Sequence, residues 1–383
     1  MSNLITVHIV NDIPWSNLNR DDTGTPKRTI LGGVERGLLS SQSIKRAIRK
    51  DFESRIMVDN GDDLLGSYRS RNLPELVASR AVNLVEATGA SADFEKLQKC
   101  AGVLIKSLTG KADAKDTITW LSVEELETIA SIVADDAQNA ELEVLLKAKN
   151  PSEGFSRYMK KRGVTGSLAI AAFGRMFANA TSFQTEAAIA VSPAISTHSS
   201  IIETDYFIAA DDWASVNDTA GAGAAHLGVA LYTSGVFYRS VTIDVQELLF
   251  NWSGKSGALA TEQLTQLLKS IIYTLPTGKK NATAPYSEPL LLVAEQQDYR
   301  QAYSISAPVV ADETGFQSPS VSALKRQFEV ARKISGGNYG DHAVSGVRGH
   351  EFSEDVVSID RVIETVLSWI PLEVDNTADH ETL

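Results

Sequence analysis

The sequence predicts an α+β protein with a ferredoxin-like core and two elaborations. Three observations lead there. Strand-like and helix-like stretches alternate at both ends of the chain, and the block from 57 to 165 carries the 3.6-residue period of amphipathic helices. Two strand-like runs further on bracket a Gly/Ala/Asp-rich loop.

Taken in order, Leu4 to Val10 alternates apolar and polar side chains as a half-buried strand does. A polar, glycine-containing loop is predicted from about Asn11 to Leu39. The stretch SSQSIKRAIRK then has helix-start chemistry: Ser40 or Ser41 can cap, and Ile44, Ala47 and Ile48 share one face. NLPELVASRAVNLVEA, DFEKLQKCAGVLIKSL and LSVEELETIASIVADD supply three amphipathic helices, the last opened by a capping box from Ser122 to Glu125. After Thr165 small and β-branched residues take over, so SLAIAAFGRM and AAIAVSPAISTHSS read as β structure. TDYFIAADDW and AHLGVALYTSGVFYRSVTIDV read as a long hairpin. GALATEQLTQLLKSIIY is a helix, PLLLVAEQ a short buried strand, and Ser318 to Ile334 a helix ended by Gly336-Gly337. The acidic C-terminal stretch, whose one base is Arg361, reads in part as a frayed tail.

At 383 residues the chain exceeds the usual size of one core. Its one cysteine, Cys100, excludes an internal disulfide framework and fits a reducing compartment. The opening MSNLITVHIVND lacks a positively charged n-region, and no run of about 20 apolar residues occurs. A cytoplasmic protein without a membrane span is therefore expected. No Cys/His metal cluster and no GKS or GKT is present, so neither metal nor cofactor is expected. The Gly221-Ala-Gly223 run lacks a third glycine and lies in a hairpin loop, which excludes a dinucleotide fingerprint.

Charge is distributed unevenly. Lys and Arg number 36 against 48 Asp and Glu, a net −12 that argues against indiscriminate nucleic-acid binding. Yet between Lys27 and Lys50 stand Lys27, Arg28, Arg36, Lys45, Arg46, Arg49 and Lys50, opposed only by Glu35. On a helix, Lys45 and Arg49 fall together at i, i+4, with Arg46 and Lys50 further round. The first turn offers free N–H groups near Ser40, Ser41 and Gln42, and Arg20, Lys27 and Arg28 lead into it. Backbone donors, a positive dipole end and flanking cations suit the phosphates of a nucleic acid.

LNRDD, followed by Gly-Gly and SSQSIKRAIRK, resembles the CasC backbone-subunit family of the type I-E Cascade complex in CRISPR immunity. FGRM (Phe173 to Met176), ISTH (Ile195 to His198), AHLG with SGVFYR (Ala225 to Gly228, Ser234 to Arg239) and a weaker GFQSPS (Gly315 to Ser320) follow in the family's order. The resemblance spans the core and hardly touches 57–165. It implies a palm of RNA-recognition-motif type at 1–56, 166–192 and 236–383, helical fingers at 57–165, and a thumb hairpin at 193–235. It also implies several copies stacked along one CRISPR RNA beside other Cascade subunits, each thumb displacing one base while the rest pair with target DNA. Carried over, Arg20, Lys27, Ser40, Gln42, Lys45 and Arg49 would hold guide phosphates, with Arg46 beside them. Arg175 would meet the guide backbone and Met176 its bases, and Phe207, Ile208 and Leu227 would wedge at the displaced nucleotide. Two departures stand out. Gln301 to Leu324 contains no Lys or Arg, and the target-strand lysines of the fingers have only Lys147, Lys149, Lys160 and Lys161 as candidates, which read first as a solvated helix face.

Two other classes stay open. Adjacent Asp21 and Asp22 fit a metal-assisted ribonuclease of the type III backbone kind, although neighbouring side chains on an extended loop diverge. His198 and His226 could be imagined as an acid–base pair, without any nucleophile motif beside them. A scaffold that assembles through protein contacts alone is the third reading.

Overall fold

The structure is a computed structural model that describes residues 3–60, 66–109, 118–138, 164–177, 184–210 and 224–372. Its first half contains β1 (Leu4–Ser16), β2 (Arg28–Leu31), β3 (Val34–Leu39), α1 (Ser41–Asn60), β4 (Ser67–Ser70), α2 (Leu73–Ala87), α3 (Phe94–Thr109), β5 (Thr119–Ser122), α4 (Val123–Gln138) and α5 (Leu168–Phe173). There follow β6 (Ile189–Val191), β7 (Ala194–Ser196), β8 (Glu203–Ala210), β9 (Ala224–Asp244), α6 (Val245–Asn251), α7 (Gly257–Tyr273), β10 (Leu291–Gln297), α8 (Gln317–Ser335), β11 (Tyr339–Ser345), α9 (Gly349–Phe352) and α10 (Ile359–Ser368). The chain is thus α+β.

Contacts divide it into two units. One comprises Met1–Ile48, Val191–Thr242 and Leu268–Trp369; the other comprises Arg49–Ala190, Ile243–Leu267 and Ile370–Leu383. The second grouping takes 166–190 and 243–267 with the helices, where the sequence reading sets them beside the sheet.

The first unit is built on a sheet whose strand order is β11-β10-β1-β9-β7-β3-β2, with β8 also pairing to β9. β1 lies antiparallel to β10 in the register Thr6 to Glu295 and His8 to Val293, and β10 lies antiparallel to β11. Helix α8 buries Val321, Leu324 and Phe328 in one cluster with Val10, Val293 and Val344 of the strands. β9 is 21 residues long: one end pairs with β8 and the other with β7.

A polar network runs through this unit. Glu295, fully buried, accepts from His8 Nε2 at 3.0 Å, Tyr303 Oη at 2.9 Å, Gln297 Nε2 at 2.7 Å and Arg332 at 2.7 Å. Tyr238 Oη meets His8 Nδ1 at 2.8 Å, and Thr6 Oγ1 donates to Gln297 Oε1 at 3.0 Å. Burial alone would raise the Glu295 pKa. The hydrogen bonds and charges of His8 and Arg332 outweigh it and bring the group down to about 2.

The second unit has a helical core. α2, α3 and α4 contribute Val77, Ala81, Leu97, Leu104, Leu126 and Ile129 to one buried cluster, and β4 pairs with β5 beside them. The capping box read at Ser122 is present: Glu125 N donates to Ser122 Oγ at 3.2 Å, and Ser122 N donates to a Glu125 carboxylate oxygen at 2.8 Å.

Two expectations need correction. The predicted loop from Asn11 to Leu39 is largely β structure, because β1 runs on to Ser16 and β2 folds onto β3. Gly32 and Gly33 make the two-residue turn at φ +64° and +80°, which side-chain-bearing residues rarely adopt. SLAIAAF is a helix, not a strand. Ser167 Oγ accepts from Ile170 N, Leu168 to Ala172 are buried, and Gly174 at φ +76° ends it. Alanine-rich sequence between a serine cap and a glycine stop outweighs β propensity here.

Glu295 makes the unit acid-sensitive. Its folded pKa lies below the ordinary 4.5, so its contribution is complete above that value and is lost as pH falls toward about 2. About 3 kcal/mol is involved. Urea midpoints measured between pH 7 and pH 2.5 should fall accordingly in the wild type. Glu295→Gln should start lower at pH 7 and show a flatter acid limb; parallel profiles would remove Glu295 as the cause.

Candidate nucleic-acid interface

Asn19 joins the polar loop to the basic helix. Its Oδ1 accepts from Ser40 N at 2.9 Å, and its carbonyl accepts from Lys27 N at 2.9 Å. Arg20 bridges to Pro26 across the same loop. Asp21 folds it: its carboxylate accepts from Thr23 N, Thr23 Oγ1 and Thr25 N between 2.7 and 3.0 Å. Those bonds, the Thr23 hydroxyl first, hold the Asp21 carboxyl below its ordinary pKa. Asn17 Nδ2 ties the loop at Gly24 O to the hairpin at Leu231 O, at 3.0 and 2.7 Å. From sequence alone Asn17 and Asn19 receive no role, although Asn19 is the second residue of the LNRDD motif and Asn17 stands just before it.

At the start of α1, Ser40 Oγ accepts from Ser43 N at 3.4 Å, so Ser40 is the cap. Ile44 and Ile48 are fully buried, as their spacing predicts, while Gln42, Arg46 and Lys50 are exposed and Lys45 is half-buried. Among the described residues, Arg20, Lys27, Lys45, Arg46 and Lys50 have no carboxylate within salt-bridge distance, and Asn19 holds the segments carrying Arg20, Lys27 and Lys45 together.

The other cations of the segment are committed elsewhere. Arg28 pairs with Glu35 across the β2–β3 hairpin at 2.6 Å. Arg36 is fully buried and donates to the carbonyls of Ser196 and Ser306 at 2.7 and 2.8 Å. Arg49 pairs with Glu53 at 2.6 Å, its guanidinium 5.1 Å from the Trp120 ring centroid. Glu53 also accepts from Ser67 Oγ at 2.5 Å, and Ser67 Oγ accepts from Trp120 Nε1 at 2.8 Å. Burial raises the Glu53 pKa against these partners.

Arg175, expected at the guide backbone, points into the protein. It forms a two-pronged ion pair with Glu125 at 2.5 and 2.8 Å, donates to Trp120 O at 3.2 Å and covers the Phe177 ring. Met176, between the buried Arg175 and Phe177, is 81% exposed. Lys147, Lys149, Lys160 and Lys161 lie outside the described residues.

On the hairpin, Phe207 pairs with Gly228 and Ile208 with Leu227. Successive pairs face opposite ways, so Ile208 and Leu227 share a face with Tyr206 and Val229, and Phe207 lies on the other. All five are exposed. A Cβ on Gly228 would stand 2.1 Å from Phe207 Cζ, so the ring lies on the glycine's bare backbone. The exposed apolar residues expected at the displaced nucleotide therefore lie on both faces of the hairpin.

Three of the matched stretches serve as joints. His198 is buried, donates from Nδ1 to Ser199 O at 2.8 Å, accepts from Val236 N at Nε2 and stacks on Phe316 at 3.7 Å. Thr197 and Ser320 bond through their hydroxyls at 2.7 Å. Burial holds the His198 pKa below its ordinary value. With both ring nitrogens engaged, His198 has no free site for proton transfer. The side chain of His226, its imagined partner, and the Gly221–Gly223 run lie outside the described residues.

Fold and site together define a mixed α+β protein that carries, among its described residues, a concentrated strip of cations without carboxylate partners. The chain belongs to the CT1975-like protein family, whose model matches residues 5–364. Its fold is similar to a chain titled "CRISPR RNA-guided surveillance complex, pre-nicking", with a TM-score of 0.76 and 24% identity over 96% of this chain and 100% of that one. A second, titled "CRISPR RNA-guided surveillance complex", gives a TM-score of 0.68 and 19% identity over 96% and 99%. At these identities the likeness is one of fold. A search of the curated proteins gives no match. The resemblance to Cascade backbone subunits is thereby borne out at the level of family and fold. No helix among the described residues is long and apolar enough to cross a membrane.

Adjacent positions separate structure from surface. Arg175→Met leaves Glu125 buried without its partner and should cost about 3–5 kcal/mol in chemical denaturation. Met176→Ser should stay within about 0.5 kcal/mol of wild type. Equal stabilities would show that the Glu125 ion pair is not a support of the helical unit.

Proposed function

We propose that this chain is a non-catalytic CRISPR RNA-binding backbone subunit of a type I-E Cascade complex in cytoplasmic antiviral defence. Copies polymerise along the guide beside other Cascade subunits, each hairpin acts as a thumb that kinks the RNA, and the remaining bases pair with target DNA. The observation that carries the reading is the Asn19 junction, which gathers Arg20, Lys27, Ser40 and the first turn of α1, with Lys45 and Arg46 on that helix. A ladder of this kind holds phosphates without reading sequence, as a guide holder must. The strand order β10-β1-β9-β7, with α1 between β1 and β7 and α7 between β9 and β10, supports a palm of ferredoxin and RNA-recognition-motif type. The exposed apolar residues on both faces of the hairpin support a wedge that accepts any nucleotide. Each copy contributes few phosphate contacts, and assembly on one strand multiplies them through effective concentration.

The rival ribonuclease needs Asp21 and Asp22 free to hold a metal. Asp21's engagement in the loop turn supports a structural role instead.

The test is to co-express the chain with a CRISPR array and its partner subunits, purify the complex and extract its nucleic acid. Guide-sized RNA of uniform length is expected, and Lys45→Glu with Arg46→Glu should lose it while the fold, followed by circular dichroism, is kept. An intact complex without RNA sinks the proposal in favour of a protein-only scaffold. Guide-dependent cleavage of target RNA that disappears in Asp21→Ala with Asp22→Ala would establish the ribonuclease.

A further inference from the structure

A second basic element meets the Asn17–Leu18 segment from the far side of the sequence. The turn Thr277-Gly278-Lys279-Lys280 docks there: Gly278 N donates to Leu18 O at 3.2 Å. The approach is so close that a Cβ on Gly278 would lie 2.5 Å from the carbonyl oxygens of Asn17 and Leu18. Lys279 takes a left-handed backbone at φ +49°, the only such non-glycine among the described residues. Its ammonium stands 4.6 Å from the Tyr232 ring centroid and 3.4 Å from the Tyr232 hydroxyl. Trp15 stacks on the same tyrosine, centroids 3.7 Å apart and planes 22° from parallel. Tyr232 is buried, yet Trp15 keeps 38% of its surface in solvent and Lys280 is exposed. Among the described residues neither lysine has a carboxylate partner, and no acid occurs between Tyr273 and Ser287.

We infer that Trp15 and Lys280 form a further single-stranded RNA contact, Trp15 stacking on a base and Lys280 meeting the neighbouring phosphate. This rests on the RNA-binding reading above. An indole already stacked on Tyr232 loses little rotamer freedom when a base lies against it, and stacking accepts any base. Left-handed backbone at a lysine costs free energy, and a strained residue persists where its surroundings hold it. Here the Tyr232 ring and the Gly278 dock hold Lys279, which sets the position of Lys280. Asn17, reaching both Gly24 O and Leu231 O, links this shelf to the loop of Arg20 and Lys27 and to the base of the hairpin.

The experiment measures anisotropy of labelled oligouridine with the full chain at several salt concentrations, and repeats RNA extraction from the co-expressed complex. Trp15→Ala should weaken oligouridine binding by roughly 5- to 100-fold, and Trp15→Phe should recover most of it. Lys280→Glu, a change at an exposed site, should weaken binding and lower the slope of log affinity against log salt by about one or more. Ultraviolet crosslinking of the loaded complex should yield RNA adducts on peptides containing Trp15 or Lys279–Lys280. Suppose Lys45→Glu with Arg46→Glu abolishes binding, while Trp15→Ala and Lys280→Glu bind within twofold of wild type and adducts avoid both peptides. This inference is then overturned and the RNA-binding reading stands. Failure of the wild-type chain and complex to hold RNA overturns both.

Discussion

A carboxylate can remain inside a sheet only if donors reach it from several directions. Glu295 meets that requirement with β1 through His8, the segment after β10 through Tyr303, its own strand through Gln297 and α8 through Arg332. Leaving any of these donors unmatched in the interior costs more than the bond itself contributes. The network therefore fixes which strands neighbour which, and it seats α8 at one register on the sheet. Arg332 is held in turn between the Phe328 and Tyr339 rings. The loop and helix start that carry the cationic strip hang from the far end of the same β1.

The cationic strip is smaller than its charge count. Of seven bases between Lys27 and Lys50, Arg28, Arg36 and Arg49 are engaged with protein partners. The division follows side-chain chemistry. Each of the three arginines reaches an acceptor through its planar fork, and a lysine's rotating ammonium fits those places less well. The lysines and Arg46 have no carboxylate partner among the described residues. Arg239, also buried, closes the end of α7 by donating to the carbonyls of Ile271, Ile272 and Thr274. Burial pulls it down to about 10.

Period and capping were legible in the sequence wherever one face of an element meets a core. α1, α4 with its Ser122–Glu125 box, and α8 are of that kind. The hairpin around Gly32-Gly33 was not read, because its strands, RTIL and VERGLL, mix charged and polar residues with apolar ones and show no clean alternation. α5 was hidden because six residues are too few for periodicity. At the site, local pattern identified Ser40 as cap and the buried Ile44 and Ile48. Glu53, at i+4 from Arg49 on the same helix, was within reach of that pattern but was not read. Trp120 stands 71 positions from Arg49 and Glu125 stands 50 from Arg175, and only folding brings these near. Asn19 escaped notice for the same reason: its value lies in two backbone groups, Lys27 N and Ser40 N, that no motif spells out.

β9 passes without a break from the hairpin into the sheet. At about 3.3 Å per residue its 21 residues extend to some 70 Å. A hairpin on a separate linker would swing on its loops. This one shares a strand with the sheet, so bending it requires distorting a hydrogen-bonded ladder. Mechanically it is a cantilever clamped at its root: load at the outer end becomes torque on the strands paired with β9. For a hairpin built in this way, the position of its outer end is set by the stiffness of the protein and not by the play of a linker.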